Sequence, residues 1–281
     1  MTAAPDPAAA PDPAAAPDPA AAPDPAAAPD PAAAPDPAAS QAAPELSIIL
    51  PVFNEGEAVE PVLRSLHAGV ATSKEIVVVW DFDGDTTRPV VERLAAEMPG
   101  LRGLHNDLGR GVLNAMRAGI ADARGSLVLI SMADGSDEPS IVDAMAVLGR
   151  GGAAVVAASR YMRGGHQVGG PLVKGLLSRA AGLSLHWIGG LATHDPTNNF
   201  KLYRRDFLES VTIESRAGFE LALELTVKAT LARRRVAEVP TTWRDRAAGR
   251  SNFHLRKWLP QYLRWYVVAL RGRFSRSRRA R

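Results

Sequence analysis

LSIILPVF, residues Leu46–Phe53, is apolar at almost every position and rich in β-branched side chains. A half-exposed strand alternates apolar with polar residues. An unbroken run like this one reads instead as a strand buried on both faces, as in a parallel sheet covered by helices. The pattern recurs outward from it. Glu75–Trp80 (EIVVVW), Leu101–Asn106 (LRGLHN), Ser126–Ser131 (SLVLIS) and Ala153–Ser159 (AAVVAAS) are further strand-like runs. Between them, Ala58–Val70 (AVEPVLRSLHAGV), the stretch around Val90–Met98 and Gly109–Ala123 (GRGVLNAMRAGIADA) have helical spacing. This alternation predicts an α/β fold with a mostly parallel sheet flanked by helices. Ligands of such sheets bind beyond the carboxyl ends of the strands. The loops PVFNEGE, DFDGD, NDLGRG and MADGSDEP follow the first four strands and are therefore expected on one edge. Some of their acids serve as helix caps, Asp137 or Glu138 before Pro139 being the natural candidates.

The rest of the chain frames this domain. Residues 4–39 are six tandem copies of APDPAA. Proline removes amide donors and fixes φ, and the repeat offers no apolar side chain large enough to offset ordering, so residues 1–43 are expected to be a disordered spacer. The arm has neither the basic start nor the apolar core of a signal peptide. It carries six Asp and no Lys or Arg, so the remainder holds 33 basic against 24 acidic residues. The excess sits at the end, where Arg256–Arg281 contains nine Lys or Arg and no acid. There is no cysteine, which excludes disulfides and thiolate metal sites. No apolar run approaches the roughly 20 residues of a membrane span. The expected organisation is an arm (1–43), a catalytic-size domain (44–253) and a basic amphipathic helix with an Arg-rich tail (254–281).

The ordered part also resembles a family. SIILPVFNE, NDLGRG, ASRYMRGG (Ala158–Gly165), DPTNNFKLYRR (Asp195–Arg205), FELALELTVKA and EVPTTWRDRAAGRS (Glu238–Ser251) stand in the order seen in family 2 glycosyltransferases of the GT-A fold. The likeness is to the dolichol-phosphate or polyprenyl-phosphate mannosyltransferase branch. It implies transfer of a sugar from a nucleotide-sugar donor, with inversion, to a polyprenyl-phosphate or other lipid-linked acceptor. It also implies Mg²⁺ or Mn²⁺ on an acidic D-x-D motif after the fourth strand. Here MADGS puts Met132 at the first acid and Asp134 at the second, with Asp137 three positions on. A thioether is a poor ligand for a hard cation, so Asp134 is the leading metal ligand and Asp137 the second. The resemblance assigns Pro51, Phe53, Glu55, Asp81, Gly109, Arg110 and Asp134 to the donor nucleotide. Trp80 stands where the family carries a further acid, and Phe53 reads equally well as core. Arg160, Lys174, Ser178 and Arg246 match positions that hold an acceptor phosphate, with Asp134, Asp195 and Arg246 as catalytic candidates. GDP-mannose, UDP-glucose and UDP-N-acetylglucosamine fit equally as donors.

Two acceptors make different demands. A lipid phosphate is already an anion and attacks without a general base, leaving Arg160, Lys174 and Arg246 to steer it. A sugar hydroxyl must lose a proton and needs a carboxylate, for which Asp195 is the candidate, unless it orients a loop or an arginine instead. The glycine-rich Arg163–Gly170 has the composition of a mobile flap. Trp258, Leu259, Tyr262, Leu263, Tyr266 and Leu270 at helical spacing, interleaved with arginines, suit either a core-packed last helix or one resting on an anionic membrane. The expected location is peripheral, at the cytoplasmic face of the cell membrane. A nucleotidyltransferase would need a Gly-rich basic loop after the first strand, which PVFNEGEAVE lacks. A degenerate module binding membrane or nucleic acid is the rival of another class, favoured by Met132 and Trp80. No aromatic-and-basic sheet pattern points to RNA.

Overall fold

The computed structural model describes residues 43–245 and 255–279, with side chains described outside 172–174, 255–258 and 274–279. Residues 1–42 of the predicted arm (1–43) and residues 246–254 lie outside the described residues. β1 (Leu46–Pro51) is central in a seven-stranded sheet of order β3-β2-β1-β4-β7-β5-β8. β2 (Lys74–Trp80), β3 (Leu101–His105) and β4 (Leu127–Ile130) run parallel to it and β8 (Val236–Pro240) runs parallel to β5 (Val155–Ser159). β7 (Lys201–Arg204) is antiparallel to both β4 and β5, which joins the two parallel groups.

β1 shows why the strands carry no alternation of polarity. Ile48 and Leu50 face α1 (Val59–Gly69), α2 (Arg88–Ala95) and α4 (Val142–Arg150), packing with Leu63, Leu94 and Met145. Ile49 faces α3 (Val112–Asp122), α6 (Arg205–Glu209) and α7 (Leu221–Leu231), with Met116, Phe207 and Leu225. Helices cover both faces, so both need apolar residues. Trp80 is buried at the end of β2. A Cβ on Gly103 of β3 would stand 2.0 Å from the Trp80 ring, so this glycine makes room for the indole. The residue replacing the family's acid is therefore part of the core.

One stretch is paired where a flap was expected, and the last helix takes the core-packed one of its two readings. The Arg163–Gly170 stretch, read as a flap, forms β6 (His166–Val168), paired in parallel with β9 (Thr242–Arg244). Its amide at His166 donates to Thr241 O at 2.8 Å. The last helix, α8 (Leu255–Arg279), buries Trp265 and Ala269 against Leu185 of α5 (Leu172–Trp187) and Leu223 and Val227 of α7. It is thus packed into the domain, while Leu259 and Leu263 stay exposed. Among the described residues no helix is long and apolar enough to cross a membrane.

Candidate active site

The loops after β1–β3 meet at the carboxyl edge of the sheet and are tied to one another. Asn54 takes a left-handed backbone (φ 54°) and its amide donates to both oxygens of buried Asp85, at 3.2 and 3.1 Å. The Glu55 amide donates to Thr87 Oγ1 at 3.0 Å. Asp81 accepts from Asn106 Nδ2 and the Gly111 amide, both at 2.7 Å. Its carboxylate therefore shapes the loop holding Gly109 and Arg110, with Gly109 O accepting from Asn106 Nδ2 at 2.8 Å. Pro51 ends β1 in the core, whereas Phe53 is 54% exposed, which settles its reading against plain core. Its ring centroid lies 5.8 Å from that of Phe82, and the Arg110 guanidinium sits 5.0 Å from the Phe82 centroid. Phe53, Phe82 and Arg110 together make an aromatic and cationic rim.

The acidic loop after β4 is built around two carboxylates. Asp134 Oδ1 accepts from the Ser136 amide at 3.1 Å and the Ser136 hydroxyl at 2.5 Å. Met132, at the missing first acid, contributes its backbone N–H to Asp137 instead. Burial, with Asp134 beside it, pushes the Asp137 carboxyl up to about 7. Asp137 Oδ2 is buried without a hydrogen-bond partner. A buried, unsatisfied carboxylate oxygen next to a second carboxylate is a donor set that fits a hard divalent cation. The described residues hold no cluster of three or more His, Cys, Asp or Glu, so protein ligands there are few, as Mg²⁺ tolerates. Thr242 N donates to Glu138 Oε2 and Arg244 N to Ser136 O, which fastens this loop to β9.

Across the edge, after β5, lies a cluster centred on Arg160. The Arg160 Nε and Nη2 donate to Asp195 Oδ2 and Oδ1 at 2.6 and 3.0 Å, a bidentate pair. Asp195 is fully buried and also accepts from the Arg160 amide, the Asn198 amide and Thr197 Oγ1. Burial raises the carboxyl and the Arg160 guanidinium outweighs it, so Asp195 stays below the usual carboxylate range. Five donors thus share its two oxygens, and the carboxylate has no exposure to solvent. Of the two readings of Asp195, this geometry favours the one in which it orients an arginine. Arg160 reaches toward Ser178 Oγ at 3.4 Å, and Ser178 lies 3.1 Å from Thr197 Oγ1. Beneath them Lys201, fully buried in β7, donates its Nζ to the carbonyls of Asp195 and Asn198. Burial pushes its ammonium down to about 7, against the pull of Asp195. Arg160 and Lys201 both lie within electrostatic reach of Asp137, so the two halves share one charge network.

With this geometry in view, the relatives of the chain are informative. The profile of Glycosyl transferase family 2 matches residues 47–212. The chain belongs to that family. Among curated proteins it is 32% identical to an undecaprenyl-phosphate mannosyltransferase of Micrococcus luteus, over 72% of this chain and 85% of that protein. It is 29% identical to a polyprenol monophosphomannose synthase of Mycolicibacterium smegmatis, covering 82% of this chain and 89% of that one. A dolichol-phosphate mannosyltransferase of Pyrococcus furiosus matches at 27%, over 81% and 69%. Glucosyl-3-phosphoglycerate synthase from Mycobacterium tuberculosis, solved with Mn²⁺, UDP-glucose and phosphoglyceric acid, has the same fold. Its TM-score is 0.61, at 20% identity, over 81% of this chain and 80% of that one. The protein is a family 2 glycosyltransferase of the GT-A fold.

Of the sequence-predicted positions in this glycosyltransferase, the structure gathers Pro51, Phe53, Glu55, Asp81, Gly109, Arg110, Asp134 and Asp137 along one edge, with Arg160 and Ser178 facing each other beside them. Lys174 falls on α5 one turn before Ser178, its side chain outside the described residues, and Arg246 is likewise outside them. Sequence reasoning missed Phe82, Thr197 and Lys201, and read Asp85 as extra charge beside Asp81 where it instead holds the Asn54 amide. Lys201 did leave a signal, a lone cation inside the apolar strand-like run FKLY.

Proposed function

We propose that this glycosyltransferase moves a hexosyl group from a nucleoside-diphosphate sugar to a phosphate oxygen of a polyprenyl phosphate, with inversion. The bond from the anomeric carbon to the nucleoside diphosphate breaks as a bond to the acceptor phosphate oxygen forms. No proton has to be removed. The observation that carries this reading is Arg160, a buried guanidinium locked by a carboxylate with no basicity to spare. Such a site favours an anionic acceptor and offers no base to a hydroxyl. Lys174, by its place on α5, and Arg246 are proposed to add charge to the same cradle.

On the donor side, the Phe53–Phe82–Arg110 rim and the Glu55 loop are proposed to take the nucleotide. Asp81 holds the Gly109–Arg110 loop in place for the diphosphate. Asp134 and Asp137 would hold Mg²⁺ or Mn²⁺, which supplies charge neutralisation for the departing diphosphate. Relatives named for polyprenyl-, undecaprenyl- and dolichol-phosphate support the lipid acceptor. So does α5, which carries Ser178 on one side and leaves Leu176 (70%), Leu177 and Trp187 (71%) exposed on others. Tyr266 OH meets Ser184 Oγ, and Arg273 packs on Gly190, so α8 runs alongside α5 in the same direction. Leu259 and Leu263 of α8 are exposed as well. We read that apolar surface, with the basic end of the chain, as a seat on an anionic membrane surface.

The test is transfer from a panel of nucleotide-sugars to a short polyprenyl phosphate, with Mn²⁺, Mg²⁺ or EDTA. Turnover that needs the metal and is lost in Asp134→Asn supports the reading. Phosphoglyceric acid belongs in the same panel, and turnover with it alone would replace the lipid by a small phosphorylated acceptor.

A further inference from the structure

Beside the loop after β3, a polar cleft of about 420 Å³ opens between the first turns of α3, the 213–216 segment and α8. Asn114, Arg117, Glu214, Arg216 and Arg264 line it. Its size is within the range of small-molecule sites. The charges in it do not balance. Glu214 is already shared, with Oε1 at 2.8 Å from Lys228 Nζ and Oε2 at 2.6 Å from Arg264 Nη2. The Lys228 hydrogen bond and Arg264 keep its carboxyl below the usual range. Lys228 has a second carboxylate in buried Glu224, also at 2.8 Å. Arg117 spends Nη2 on the carbonyls of Ile213 and Ser215, at 2.8 and 3.1 Å. Carbonyls fix its position and leave its charge uncompensated. Arg216 is exposed, and its side chain has no partner among the described residues.

We propose that this cleft is a second anion site, taking a phosphate monoester dianion between Arg117 and Arg216. Guanidinium forks match phosphate oxygens in pairs, and a dianion cancels the two uncompensated charges. The cleft also touches the donor side. Asn114, on its wall, donates Nδ2 to Leu108 O at 2.9 Å and so braces the loop carrying Gly109 and Arg110. An anion here would bear on that loop through the first turns of α3. The inference is independent of which acceptor the enzyme uses.

The experiment is calorimetric titration of the full chain with inorganic phosphate at low ionic strength, comparing wild type with Arg216→Glu and Arg216→Lys. Binding at Arg160 contributes equally to all three. Arg216→Glu is expected to lose one binding event, its affinity falling about tenfold or more, with an unchanged unfolding temperature. Arg216→Lys should retain part of it. A parallel sedimentation with phosphatidylcholine vesicles, with and without phosphatidic acid, separates a soluble from a lipid phosphate. Loss in the first assay indicates a soluble monoester, and loss only in the second indicates a lipid headgroup. Arg216→Glu matching wild type in both assays overturns the site.

Discussion

Asp195 is fully buried and Asp137 buries its Oδ2, yet their surroundings give the two carboxylates opposite character. Asp195 has a bidentate arginine and three further donors, so it stays charged and serves as an anchor. Asp137 has one oxygen with no partner, and burial lifts it to about 7. Its folded form holds a proton more tightly than the unfolded chain does. Stability should therefore fall as pH rises from the usual carboxylate range toward about 7. In EDTA, Asp137→Asn is expected to unfold at a higher temperature than wild type at about pH 8, the gap closing toward about pH 4. Mn²⁺ should raise the wild-type midpoint at the higher pH and leave that of the variant in place. A gap independent of pH would show that Asp137 is not held in this way. The sequence pointed to Asp134 and Asp137 as acids in a loop, but not to this difference between buried carboxylates. That depends on donors from Arg160, Thr197 and Asn198, which only the folded chain brings in.

β7 is the element that sequence pattern described least and the site uses most. Four residues long and antiparallel between two parallel groups, it was not among the predicted strands. β1, β2, β4 and β5 were legible because each is a β-branched or alanine-rich apolar run. β7 contains Lys201 and Arg204, and its polarity hid it. Its lysine is the post beneath the 195–198 turn, bonding two carbonyls of the segment that carries Arg160's anchor. Lys201→Met leaves those carbonyls unpaired and should cost about 2 kcal/mol in chemical denaturation. Acceptor kcat/KM should drop by up to about a hundredfold through misplacement of Arg160. The KM for donor should hold, because the loops after β1–β3 are tied together without it. An equal loss in both KM values would mean that the turn does not act on Arg160 selectively. The flap-like composition of Arg163–Gly170 misled for a related reason, since pairing with β9 across some 75 residues leaves no local trace.

For the molecule as a whole, fold and family were readable because strand order, loop chemistry and motif order all agreed. The last helix was ambiguous, since the same aromatics suit a core or an interface, and the structure divides them. Trp265 and Ala269 go inward, while Leu259 and Leu263 stay exposed. The proposed seat on a membrane surface can be tested on the exposed side of α5. Leu176→Glu with Leu177→Glu should reduce sedimentation with anionic vesicles, because each removes an apolar contact and adds repulsion. These side chains are exposed, so the unfolding temperature should change little. The same pair should slow transfer to a vesicle-borne acceptor more than to a short soluble one. Vesicle binding unaffected by both substitutions would assign the α5 surface no part in docking.

The most direct measurement compares two acceptors that differ by one group, a short polyprenyl phosphate and the corresponding free polyprenol, with the same nucleotide-sugar and Mn²⁺. Since Asp195 is spent on Arg160 and no proton acceptor is needed for a phosphate oxygen, only the phosphate should accept sugar. Arg160→Lys, which replaces a fork by a point charge, should raise the acceptor KM by about tenfold or more. Transfer to the free alcohol at a comparable rate, or an acceptor KM indifferent to Arg160→Lys, would contradict a phosphate nucleophile held by Arg160.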